Sequence, residues 1–127
     1  MDEELQRKNF EKLLRDMIKT RIKSDFYYLL YLSNPKNIQD DKIQIYKRKE
    51  VEEIPDIEGK KALQLNIFLE GLLESYLIDK EFHNEILNEL KYIIGLLSEN
   101  EEQRDNVLSS ILGSLKIFAD KLLIKYI

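Results

Sequence analysis

The apolar positions of this 127-residue chain recur at helical spacing along most of its length. Phe10, Leu13, Leu14, Met17, Ile18 and Ile22 follow the i, i+3, i+4 pattern that marks one buried helix face. Lys12, Arg15, Asp16, Lys19, Arg21 and Lys23 lie between them and predict the solvated side. Ser24 has the chemistry of a helix N-cap, and Asp25 would be favourably placed in the first turn after it. A second helix is therefore expected from Ser24 to about Ser33–Asn34, because Pro35 disfavours helical geometry at the residue before it. The pattern leaves open whether these are two helices or one long kinked rod.

Turn residues predict a loop over Asn34 to Asp41 (NPKNIQDD). The next stretch reads two ways: Ile43 and Ile45 alternate as in a strand, whereas Tyr46, Glu50, Val51 and Ile54 suit a helix. An irregular segment or short β segment near 42–54 is expected, followed by a break bracketed by Pro55 and Gly59. From Lys60 to Ile78 the apolar residues occupy more than one face, which predicts a central helix. Asp79 restarts a helix with a clean stripe of Phe82, Ile86, Leu90, Ile93, Ile94 and Leu97. Ser98-Glu99-Asn100-Glu101 has the form of a capping box. The last helix carries Val107, Leu108, Ile111, Leu112, Leu115, Phe118, Leu122 and Tyr126. The prediction is an all-α, single-domain bundle of about five helices over 1–127.

With 43% hydrophobic residues, the chain is long enough to bury a core. It has no cysteine, so disulfides and thiolate metal sites are excluded, which fits an intracellular, cytoplasmic protein. The opening MDEELQRKNF is charged from its second residue, and neither a signal peptide nor a membrane span is expected. Net charge is −4 and unevenly spread: residues 62–106 hold ten acidic and three basic side chains. An acidic middle repels phosphate and suits a protein partner, so direct nucleic-acid binding is expected to be absent or secondary.

Candidate chemistry is sparse. The single histidine, His83, reads as a surface or partly packed residue at the edge of an apolar stripe. Asp79 shares its face at i, i+4, but two ligands make no metal site, and Lys80 stands where a helical dimetal motif needs glutamate. Glu81, Glu85 and Glu89 form an i, i+4 ladder, as do Glu70 and Glu74. Uniform exposure gives no contrast between an acid and a base, so the ladder reads as a solvated face or as an acidic docking stripe for a basic partner. Gly59, Gly71, Gly95 and Gly113 are isolated, which excludes a phosphate-binding loop, and Ser98, Ser109, Ser110 and Ser114 have no base nearby in sequence. No enzymatic activity and no cofactor are expected. Lys47-Arg48-Lys49 is the one compact basic block and the weak candidate for nucleic-acid contact; the alternative reading is a small nucleic-acid-associated regulator using region 42–61.

Ser24 to Pro35 (SDFYYLLYLSNP) concentrates four aromatics and three leucines. Phe26, Leu29 and Leu30 share one face and predict core. Tyr27, Tyr28 and Tyr31 widen the stripe beyond one buried face and are candidates for a partner surface, since tyrosine combines an apolar body with a polar tip.

Three short segments together resemble the helical domain of GINS subunits of the replication fork. They are Asp25-Phe26-Tyr27 with Tyr31-Leu32, then Lys60-Lys61-Ala62-Leu63-Gln64-Leu65, then Leu77-Ile78-Asp79-Lys80-Glu81-Phe82. Their order and spacing are similar across most of Leu5 to Leu97. The chain departs from that pattern in having no proline before Asp25 and no obvious room for the small β-rich domain. The resemblance implies a non-enzymatic assembly factor whose helical domains pack side by side, tethering the MCM helicase ring to a RecJ-like partner, with DNA contact secondary. The functional expectation is a protein–protein interaction subunit or homo-oligomer of a larger assembly.

Overall fold

The structure is a computed structural model that describes residues 2–33, 47–97 and 101–126. Among them are five helices: α1 (Asp2–Ser33), α2 (Lys49–Glu52), α3 (Ile57–Ile78), α4 (Lys80–Leu97) and α5 (Glu101–Tyr126). The all-α expectation holds, with a different partition. The two predicted N-terminal helices are one continuous helix, and Ser24 lies in its interior as no cap at all. Asp25 likewise sits mid-helix, where its carboxylate is buried and answers to a tertiary partner. No strand occurs among the described residues: 49–52 is a single helical turn, while 42–46, the predicted loop over 34–41 and Ser98–Asn100 of the capping box lie outside them.

Local chemistry sets the helix boundaries. Asp56 caps α3 by accepting from the Gly59 amide at 2.8 Å. Gly59 is required there, since a Cβ would stand 2.8 Å from Ile54 Cγ2. Asp79 is the one extended residue between α3 and α4, and its Oδ1 accepts from the Glu81 amide at 3.0 Å. Its own amide donates to the Ser75 carbonyl at 3.1 Å, so α3 and α4 meet in a tight corner.

α3 is central, as its all-round apolar pattern predicts: α1, α2, α4 and α5 all pack against it. The main core joins Ile22 and Phe26 of α1, Phe68 and Leu72 of α3, and Phe82, Ile86, Leu90, Ile93 and Ile94 of α4. The Phe26 and Phe68 rings sit 5.2 Å apart in a tilted pair. At Gly71 the α1–α3 approach is close, with a Cβ there 3.0 Å from Ile22 Cγ1. A second cluster of Tyr28, Leu32 and Val51 holds α2 against α1.

The predicted buried face of α1 is where the reading fails. Only Ile18 and Ile22 pack against the core; Phe10, Leu13, Leu14 and Met17 are 65%, 59%, 46% and 62% exposed. Every described residue from Asp2 to Met17 is exposed. The α3–α4 corner at Asp79 lies level with Arg15, whose guanidinium reaches it at 3.6 Å, and no element among the described residues covers the side of α1 that carries Phe10 and Met17.

Candidate interaction surface

The exposed half of α1, Asp2 to Met17, is sixteen residues, or about 24 Å of helix. Four of its five large apolar side chains, Phe10, Leu13, Leu14 and Met17, fall on one side at i, i+3, i+4, i+7, with Leu5 off it. Half-exposed side chains of this size gain on the order of 1 kcal/mol each on burial, so the stripe holds about 4 kcal/mol of unrealised hydrophobic stabilisation. Isolated surface hydrophobes are ordinary, whereas an ordered helical stripe that no described residue covers is a candidate docking face.

The opposite side of α1 is basic and is already used. There Lys19 and Lys23 reach the two carboxylate oxygens of Glu89 at 3.2 and 3.4 Å, while Arg21, on the side of the stripe, reaches Glu74 at 3.0 Å. Arg15 also lies 5.7 Å above the Phe82 ring. Glu85 borders a cleft of about 420 Å³ with Lys8, Lys12 and Lys19. The acidic ladder expected to dock a basic partner therefore faces a basic ladder of the same chain: Glu89 is engaged by α1, Glu85 confronts it across the cleft, and Glu81 is exposed.

The stripe continues toward a second cleft of about 520 Å³, where Met17, Thr20, Arg21 and Ser24 face Lys47 and Arg48. Its wall is held by a buried ion pair. Arg48 Nε and Nη2 donate to the two oxygens of Asp25 at 2.8 and 2.9 Å, and Asp25 is 3% exposed. Gln64 Nε2, fully buried on α3, donates to the Asp25 carbonyl at 2.8 Å. A bidentate Arg–carboxylate pair with a supporting amide is a strong, directional contact. It locks the segment before α2 to α1 and α3 together.

This placement revises the basic block. Arg48 is committed to Asp25, and the bond and charge of that carboxylate hold its guanidinium above its ordinary value. Lys47 lies 5.3 Å over the Tyr31 ring, and Lys49 is exposed on α2 with no such contact among the described residues. The three tyrosines also separate. Tyr28 is fully buried and donates to Glu52, so its ring has no surface to offer a partner; burial first, then that bond, push its hydroxyl well up. Tyr27 and Tyr31 are half-buried at the edges of the two core clusters, and burial raises the Tyr27 hydroxyl.

His83 is also a correction, being 6% exposed within the core side of the α3–α4 corner. Its Nδ1 lies 2.9 Å from Ser75 Oγ and 3.0 Å from the Leu72 carbonyl. A Ser–His contact invites a nucleophile–base reading, and the geometry answers it. The Leu72 carbonyl only accepts, so Nδ1 carries the proton; Ser75 Oγ, 2.6 Å from that carbonyl, donates to it as well. Nδ1 then has no lone pair for the serine proton, and activation as in a hydrolase dyad is not available. Burial pushes the imidazole below its ordinary value, partly opposed by the Leu72 bond, and Tyr76 meets the ring edge-on at 5.4 Å. Among the described residues no group of three potential metal-ligating side chains converges. None of their helices is long and apolar enough to cross a membrane.

Comparison with known proteins finds no matching family model, no matching curated protein and no matching solved structure. The chemistry of the chain is then its own witness. It brings Phe10, Leu13, Leu14 and Met17 together as a surface that the pattern assigned to the core. The signal that distinguishes them lies in the neighbouring residues: Ile22, Asp25 and Phe26 define the core-facing side of α1, and the stripe of Phe10 and Met17 points about a third of a turn away from it.

Proposed function

We propose that this protein is a non-enzymatic interaction subunit of a larger assembly, and that the free half of α1 is the element presented to its partner. One observation carries the reading: a 32-residue helix is anchored in the core only from Ile18 onward, and its leading half displays an ordered apolar stripe. Burying that stripe against another helix supplies the affinity, and the charges flanking it select the partner. The Ser75–His83 geometry favours a non-enzymatic role, because the single histidine is engaged in holding the α3–α4 corner. The resemblance of Asp25-Phe26-Tyr27 and the segments at 60–65 and 77–82 to GINS subunits supports the replication fork as the setting.

Affinity purification of the full chain at native level, beside Phe10→Glu and Leu13→Glu variants, tests the proposal. Both positions are solvent-exposed, so the variants keep the helix content and melting temperature of the parent. Loss of one or more co-purifying chains with both variants is the expected result. Identical recovery by parent and variants overturns the reading.

A further inference from the structure

We infer that the occupant of the free α1 stripe is a second copy of this chain, lying antiparallel along it. The inference rests on the interaction reading above and names the partner. Phe10 and Met17 stand one heptad apart with Leu13 between them, the apolar spacing of a two-helix seam. An antiparallel seam sets unlike core positions against each other. Phe10 of each copy then packs on Leu13 of the other, Met17 covers Gln6, and Leu14 lies along the aliphatic stem of Arg7.

Two features choose this direction. The seam line runs on through Thr20 and Ser24, and there Lys47 and Arg48 rise beside α1 as the wall of the 520 Å³ cleft. Parallel copies would bring both walls to the same level, whereas antiparallel copies place them at opposite ends. Charge agrees. Asp2 and Glu3 open the helix on the side of the stripe, while Arg21 and Lys47 line the cleft at the far end of the overlap. The antiparallel register puts the acidic turn of each copy level with residues 19–21 of the other and beside Lys47. Parallel pairing gains Asp2 against Arg7 and Asp16 against Arg21, but it sets Glu3 against Glu3 within the seam. The remaining charged neighbours are consistent with the antiparallel form: Asp16 meets the neutral Asn9, and Arg21, Lys23 and Arg48 keep their bonds to Glu74, Glu89 and Asp25.

The contact is the same patch on both copies, so it closes at two and builds no filament. Two helices overlapping for about 30 Å bury on the order of 1,000 Å² in total, at the lower edge of specific interfaces, which makes the dimer concentration-dependent.

Sedimentation equilibrium on the full chain from low micromolar to millimolar tests this. A rise from 15.2 kDa toward twice that mass is expected for the parent, and a constant 15.2 kDa for Leu13→Glu. Leu77→Glu, at a still more exposed site off the stripe, dimerises as the parent does. The chain has no cysteine, so Glu3→Cys accepts a single spin label. The antiparallel register separates the two labels by about 25 Å along the axis, whereas parallel helices bring them to about 10 Å. A parent that stays monomeric, a dimer indifferent to Leu13→Glu, or a 10 Å separation each overturns the inference. A monomeric parent that still loses its co-purifying chains through Leu13→Glu removes the second copy alone and leaves the interaction reading standing.

Discussion

Replacing Arg48 with methionine leaves the Asp25 carboxylate, 3% exposed, without its bidentate partner at 2.8 and 2.9 Å. Breaking a fully buried ion pair from one side costs about 3–5 kcal/mol. The Arg48 side chain is 29% exposed, so water reaches one end of the pair, and the loss is reduced to about 2–3 kcal/mol. For 127 residues that corresponds to a fall in melting temperature of about 8–12 °C. Asp25→Asn alone is milder, about 1–2 kcal/mol, because the Gln64 amide still finds the Asp25 carbonyl at 2.8 Å and Arg48 turns to water. The double variant is the decisive measurement: with the charge gone, removing Arg48 costs little more, and the cycle returns a coupling of about 1.5–2 kcal/mol. Urea unfolding of the four proteins at one pH reads it. A coupling below about 0.5 kcal/mol means that the pair contributes no more than a surface bridge, and the account of the latch is refuted.

Three further outcomes follow from the packing. Phe68→Ala, at a ring 1% exposed, costs about 3–5 kcal/mol, whereas Phe10→Ala leaves thermal stability unchanged; equal effects would place Phe10 in the core. Gly113→Ala stabilises α5 by about 0.5–1 kcal/mol because nothing lies within 4 Å of the added Cβ, while Gly71→Val lowers the melting temperature by driving into Ile22. His83 titrates lower in the folded chain than in the unfolded one, so the unfolded state binds the extra proton first. Its contribution is complete above about pH 6.5 and is lost as pH falls through the folded value. Urea midpoints between pH 7.5 and 5.5 decline for the parent, and His83→Gln flattens that slope.

Periodicity made the helices legible and left their surroundings illegible. Phe82 to Ile94 reads as a buried stripe and is one; Phe10 to Met17 reads the same and faces solvent, because a helical period reports a face and never its cover. Ser24 shows how a local signal loses to tertiary packing. A cap there would end the first helix, yet continuing through it lets Ile22 and Phe26 enter one core and Tyr28 and Leu32 another. The latch was out of reach because Asp25, Arg48 and Gln64 come from three elements, 23 and 39 positions apart. One clue was present: a carboxylate between Ile22 and Phe26 on the core side of a helix cannot be buried without a cation. The same limit applies to the acidic ladder on α4, whose basic counterpart on α1 is plain only once the two helices lie side by side.

The Arg48–Asp25 latch also governs how the chain tolerates changes of length. It ties two positions 23 residues apart, and Val51 against Tyr28 and Leu32 ties the same two stretches again. Because those two contacts fix where α2 sits, a single residue added between Arg48 and Val51 would break one of them, and a single residue added at the Asp79 corner would turn α4 off its register against α3.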